Sequence, residues 1–197
     1  GRAQHQLGGR GRIGQPGVQR PGDQVAGSKY TAKAINIYGA GKGASVVDKL
    51  LVSLQEEMAR NEKCSELIAK LQRYHGGLTV DGVKGLEAKL ARANRGDELA
   101  IATDSKEQFA MLLERWSYYA SAQEILVYLL ARAEQRFNSE IKPLIPVLSE
   151  AEINQKFNAL IVDPTVEDCG ATVFNIDHMT AMGMIYWLAE QCFVRWH

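Results

Sequence analysis

One stretch constrains this chain more than any other: His178-Met-Thr-Ala-Met-Gly-Met-Ile-Tyr-Trp-Leu-Ala-Glu-Gln-Cys-Phe-Val-Arg-Trp-His197. Met179, Met182, Tyr186, Ala189, Phe193 and Trp196 recur at helical spacing and share one face. Met184, Trp187 and Val194 lie off that face and are apolar as well. A helix apolar on every side must be buried, in its own core or against another protein. The spacing therefore predicts one long helix running to the last residue, used for packing or docking rather than for chemistry. Glu190 and Gln191 interrupt the run, and it falls short of the ~20 apolar residues a bilayer span needs. No membrane contact is expected.

The formal net charge of zero hides an asymmetry. Residues 1–43 carry seven basic side chains against the single acid Asp23, and eleven of the eighteen glycines. Residues 1–24 hold almost nothing apolar and cannot bury enough surface to offset the entropy of ordering. Residues 1–44 thus read as a flexible, basic, glycine-rich arm with a short strand-like segment at 30–38, where Ile35 and Ile37 share a face of period two. A chain that opens on Gly is expected to be the tail of a longer protein. The three cysteines (Cys64, Cys169, Cys192) form no CxxC pair, which suits a reducing cytoplasm.

From Ser45 the period becomes helical. Val47, Leu50, Leu51, Leu54 and Met58 define a first helix, and Leu67, Ile68 and Leu71 a second, from Lys63 to Tyr74, stopped by Gly76-Gly77. Residues 78–83 read as a loop and Gly85–Asn94 as a short helix. Asp97 is placed to cap a long helix carrying Leu99, Ile101, Phe109, Leu112, Leu113 and Trp116. Ser121–Glu124 and Ser149–Glu152 have capping-box spacing. The first opens a helix through Ile125, Leu126, Leu129, Ala133 and Phe137, broken by Pro143 and Pro146. The second opens one through Ile153, Phe157, Leu160 and Ile161, expected to stop before Pro164. Residues 162–177 read as a loop. The fold class is all-α: an irregular bundle of about six or seven helices over 45–197. Gly183 in mid-helix predicts a close backbone crossing, since glycine there costs about 1 kcal/mol relative to alanine.

Candidate chemistry is weighed against plainer readings. Gly39-Ala-Gly-Lys-Gly43 lacks the Ser or Thr that a phosphate loop needs after its lysine, and reads as a linker. Cys169, Asp177 and His178 could supply nucleophile, base and orienter, but Asp177 is better placed to cap the last helix, and Cys192 reads as a small hydrophobe inside it. Asp163, Glu167 and Asp168 read as a solvated acidic loop, and no histidine pair has ligand spacing. No catalytic, cofactor-binding or metal-binding residue is assigned. The basic arm could track phosphates, which makes nucleic-acid binding the lesser alternative; self-association through the strand-like segment is another. Trp and Arg are enriched at interface hot spots, so the candidate partner-binding residues are Trp187, Glu190, Gln191, Arg195 and Trp196.

Four segments carry a resemblance: Gly85-Leu-Glu-Ala-Lys-Leu-Ala-Arg-Ala93, Lys106–Ile125 with its Glu114-Arg-Trp-Ser-Tyr-Tyr119 core, Ile161-Val-Asp-Pro-Thr-Val166, and above all Thr180–His197. Together they resemble a C-terminal domain of effector proteins in the bacterial ABC-three-component systems, conflict or antiphage loci with an ABC-type ATPase, a small middle component and an effector. The resemblance covers roughly residues 45–197. It implies a non-enzymatic protein–protein interaction (adaptor) domain, cytoplasmic, coupling an effector to the middle component or the ATPase. It brings no catalytic signature.

Overall fold

The computed structural model describes residues 45–77 and 82–196. The arm 1–44, its strand-like segment 30–38 and part of the loop 78–83 lie outside the described residues.

Ser45 opens the first helix, α1 (Val46–Arg60), with a capping box: its hydroxyl accepts the Asp48 N–H at 3.1 Å, and Asp48 accepts the Ser45 N–H at 2.8 Å. Val47, Leu51 and Leu54 form its buried stripe, laid against α5. Asn61, in left-handed backbone, ends it. The second helix, α2, is shorter than its periodicity predicts: it is Ala69–His75, and residues 61–68 run as irregular chain. Gln123 explains that segment. Its side-chain N–H₂ donates to the carbonyls of Glu66 (3.0 Å) and Ser117 (2.6 Å), and its Oε1 accepts the Ile68 N–H at 2.7 Å. A buried amide thus satisfies backbone that a longer helix would have satisfied itself.

Next come α3 (Leu86–Arg92) and a 3-10 turn, Gly96–Glu98, that feeds α4 (Leu99–Trp116). Asp97 does not cap α4 as expected, because the 3-10 turn carries the chain in and makes Glu98 the boundary residue. Ile101, expected inward, is more than half exposed. The fifth helix, α5 (Ala120–Arg136), begins one residue before Ser121. The predicted capping box at Ser121 is therefore not formed. A π turn (Phe137–Ile141) and a 3-10 turn (Lys142–Leu144) close the element around Pro143.

The sixth helix, α6, begins as Glu150–Phe157 with the predicted box in place: Glu152 N–H to Ser149 Oγ, and Ser149 N–H to Glu152. It does not stop before Pro164. It passes through a π turn, Asn158–Val162, and continues as Asp163–Cys169, so residues 163–169, expected in a loop, are helical. The wider turn accommodates a proline that has no N–H to give and whose ring would clash with a regular α turn. Finally α7 (His178–Glu190) is capped by Asp177, whose carboxylate accepts the Thr180 N–H at 2.8 Å.

Of the other six helices, four pack directly on α7. Nine of its thirteen residues are buried, Thr180, Ala181 and Gly183 through Ala189. The all-round apolar character is thus spent inside the domain. Its most extensive contact is with α4, and α3, α5 and the π turn and second half of α6 also touch it. At the crossing, a Cβ on Gly183 would stand 1.9 Å from the Ser105 carbonyl oxygen, so the two backbones meet where only glycine fits. The helix does not run to the chain end: it stops at Glu190, and Phe193 and Trp196, expected on its long face, lie in a tail that turns back. Among the described residues no helix is long and apolar enough to cross a membrane.

Candidate functional site around the C-terminal turn

The turn after α7 begins at Gln191 and is set by Cys192, whose φ of 69° lies in the left-handed region. The Phe193 N–H then reaches back to the Leu188 carbonyl at 2.8 Å, closing the helix end. Cys192 is therefore not a helix-core hydrophobe, as its place in the apolar run suggested. It is half-buried, and its sulfur lies 3.0 Å from the Nζ of Lys89. The tail beyond is tightly held. The Phe193 ring packs on Tyr74, centroids 4.8 Å apart, and Trp196 lies 6.1 Å from both Phe157 and Tyr186. The guanidinium of Arg95 sits 5.7 Å over Trp196. Arg95 in turn forks onto Glu98 (2.7 and 3.1 Å) and donates to Asn154 Oδ1 at 2.5 Å. Burial, reinforced by the Glu98 carboxylate, pushes the Tyr186 phenol up to about 12.

Two clefts open beside α4, each reaching a residue of α7. The first, about 610 Å³, lies between α3 and α4 and is lined by Lys84, Leu86, Glu87, Leu99, Thr103, Lys106 and Glu190, among others. Glu190 is fixed there: its Oε2 accepts the Leu86 N–H at 2.7 Å, capping α3 from another helix, and Lys106 Nζ stands 3.8 Å away. The second, about 310 Å³, lies between α2 and α4, lined by Leu67, His75, Ala110, Leu113, Glu114, Ser117 and Trp187. The His75 ring meets Trp187 edge-on, centroids 5.4 Å apart. Burial holds the His75 imidazole below its ordinary value.

The candidate residues thus divide. Trp187 and Trp196 are buried within the domain, Trp187 as the floor of the second cleft. Glu190, Gln191 and Arg195 are half-buried, with Glu190 on the wall of the first. Sequence reasoning missed the residues of α4 that join the clefts. Leu99, Thr103 and Lys106 line one; Ala110, Leu113 and Ser117 line the other. Their spacing is 4-3-4-3-4, a single helical face in the sequence itself. The eye passes over it because threonine, lysine and serine interrupt the apolar pattern.

The weighed chemistry is dispersed. Cys169 is fully buried, which with neighbouring Asp168 pushes its thiol up to about 12. Asp177 spends its carboxylate on the helix cap, and His178 faces Asp163 at 3.5 Å. Of the acidic group, now on a helix, Asp168 pairs with Arg132 at 2.5 Å. Among the described residues no cluster of three His, Cys, Asp or Glu is arranged to hold a metal ion.

Residues 85–196, more than half of the chain, match the model of one family: C-terminal domain 9 of the ABC-three component systems. The match begins at Gly85, so α1 and α2 precede it. No curated protein and no solved structure matches the chain.

Proposed function

The chain belongs to the C-terminal domain 9 family of the ABC-three component systems, and we propose that it acts there as a non-enzymatic adaptor. On this reading it grips another component, the middle component or the ABC-type ATPase, and couples an effector to it in the cytoplasm as part of antiphage defence. The observation that carries the reading is the stripe on α4. Leu99, Thr103, Lys106, Ala110, Leu113 and Ser117 lie on one face and line two clefts, the first shared with Glu190 and the second with Trp187. A face repeating at this interval is what one helix offers another, knobs entering holes. Two of the candidate partner-binding residues fit as its borders: Glu190 lines the first cleft and Trp187 the second. A domain whose family is defined by a multi-component system needs a surface that meets another component.

The test is co-expression of the full chain with the ATPase and middle component encoded beside it, followed by affinity capture. One of the two should co-elute. Changing the exposed cleft residues Thr103→Arg and Glu114→Arg together should abolish co-elution without lowering the melting temperature. Changing Val147→Arg, which is 74% exposed and away from the stripe, should leave it intact. Capture that survives the double change rejects the stripe; capture of neither component rejects the adaptor.

A further inference from the structure

We propose that Lys89 and Cys192 are a modification site: an oxidant of the peroxide class joins them through a covalent sulfur–nitrogen bond. Lys89 sits on α3 with no exposed surface. Its Nζ is 3.0 Å from the Cys192 sulfur and 3.4 Å from the Gly85 carbonyl. Among the described residues no carboxylate oxygen pairs with it within 4.0 Å, the ion pairs of this region belonging to Lys106 and Arg95. Burying an ammonium without a counter-charge is expensive. The group facing it at hydrogen-bond distance is a sulfur. Cys192 supplies a second, independent peculiarity. Its backbone is left-handed, a conformation that glycine or asparagine takes more readily. The chain places a thiol at the one turn where the sulfur stands opposite a buried amine. Cys192 is half-buried, so a molecule of peroxide size reaches it while Lys89 stays shielded from water.

The chemistry closes in two steps. Hydrogen peroxide oxidises the thiol: the O–O bond breaks, one oxygen joins sulfur as sulfenic acid, sulfur gives up two electrons, and one water leaves. The sulfenic acid gives its proton to solvent at half-buried Cys192, the Lys89 ammonium passes one proton to the sulfenate oxygen, and the resulting amine attacks that sulfur. An N–S bond forms, the S–O bond breaks, and hydroxide leaves as water with a proton from the nitrogen. This is the condensation by which sulfenic acids give sulfenamides, here with a side-chain rather than a backbone nitrogen. The net change is the loss of two hydrogen atoms and the formation of a strap between α3 and the terminal turn. Gly85 and Leu86 on one side and Glu190 on the other are walls of the first cleft, so the strap fixes that cleft's width.

The experiment treats the full chain with hydrogen peroxide, blocks remaining thiols and measures intact mass and proteolytic peptides. The expected result is a species lighter by two hydrogens, with peptides joined through Lys89 and Cys192, reversed by dithiothreitol. Its melting temperature should rise by roughly 5–10 °C, as for other long-range cross-links. The product should persist in Cys64→Ser and vanish in Cys192→Ser. In Lys89→Met, which keeps the buried volume, Cys192 should stop at sulfenic acid and be captured by dimedone. Equal dimedone capture in the parent chain and Lys89→Met overturns the proposal. So does a Cys64–Cys192 disulfide, or a joined species carrying an extra oxygen.

Discussion

Gly183 is the residue on which the core turns. Its missing Cβ lets α7 lie directly on the Ser105 carbonyl, so Gly183→Ala cannot be absorbed by a rotamer change; backbone must move. We expect about 3 kcal/mol of destabilisation, at the upper end of overpacking costs, read by urea denaturation with an unchanged m-value. The mid-helix glycine was legible in the sequence as an anomaly with a packing cause. Cys169 makes a second prediction. With its thiol pushed up to about 12 and no exposed surface, it should resist iodoacetamide in the native state and label fully in urea. Fast native labelling would reopen the nucleophile reading. His75 supplies a pH dependence. Its folded value lies below the ordinary 6.5, so the unfolded chain binds more protons in the acid range. Its contribution is present above about pH 6.5 and lost as pH falls through the lowered folded value. Melting temperature should therefore decline from pH 7.5 to 5.5, and His75→Gln should flatten the decline; an unchanged slope would assign it elsewhere.

At the scale of elements, three helix starts show where sequence rules hold. Ser149–Glu152 and Ser121–Glu124 have the same local pattern, yet only the first forms a capping box. At the second, Glu57 on α1 takes over: its carboxylate accepts the Ser121 hydroxyl at 2.5 Å and the Ser121 N–H at 3.2 Å. The start of α3 is likewise capped by Glu190, 104 residues away. A cap supplied from another helix leaves no trace at local spacing, so neither Glu57 nor Glu190 was legible as a cap, although both helix starts lie within one residue of where the sequence puts them. The same holds for the π turn that carries α6 past Pro164, and for the buried Gln123 that replaces the first turn of α2. What was legible is what depends on a single helix's own period: the apolar stripes of α1, α4, α5 and the first half of α6. Glu57→Ala should lower stability by about 1–2 kcal/mol, comparable to losing a strong local cap, although Glu57 lies outside the helix it serves. Thermal melts of Glu57→Ala beside Ser149→Ala measure both; a neutral Glu57→Ala would mean that water caps α5 equally well.

For the whole molecule, the fold class was legible in the periodicity of long segments, and the family in the resemblance carried by four segments, Thr180–His197 above all. The sequence did not reveal the cleft-lining face of α4, for a physical reason. The most apolar residues of the terminal stretch were the natural suspects for docking, and the fold consumes them: Trp187, Phe193, Val194 and Trp196 are all less than 10% exposed. The cleft-lining face of α4 mixes polar with apolar residues, Thr103 exposed and Leu113 buried, so no hydrophobicity argument selects it. The tail is accordingly structural. Removing residues 191–197 takes away Phe193, Val194 and Trp196, each a buried side chain of the kind whose truncation costs a few kcal/mol. Against a total of about 5–15 kcal/mol, that deletion should abolish cooperative unfolding and leave a chain that trypsin digests throughout. A shortened chain melting like the parent would assign the tail a surface role.

The centrality of α7 also has a consequence in time. Every helix it organises is synthesised before it, so α1 to α6 leave the ribosome with their inward faces still uncovered. Domains that can begin folding from the front do so as they emerge; this one must wait for a keystone that arrives late. A nascent chain stalled before residue 178 is therefore a client for chaperones and proteases, and the two clefts beside α4, each lined in part by a residue of α7, come into being only after that stretch has been translated.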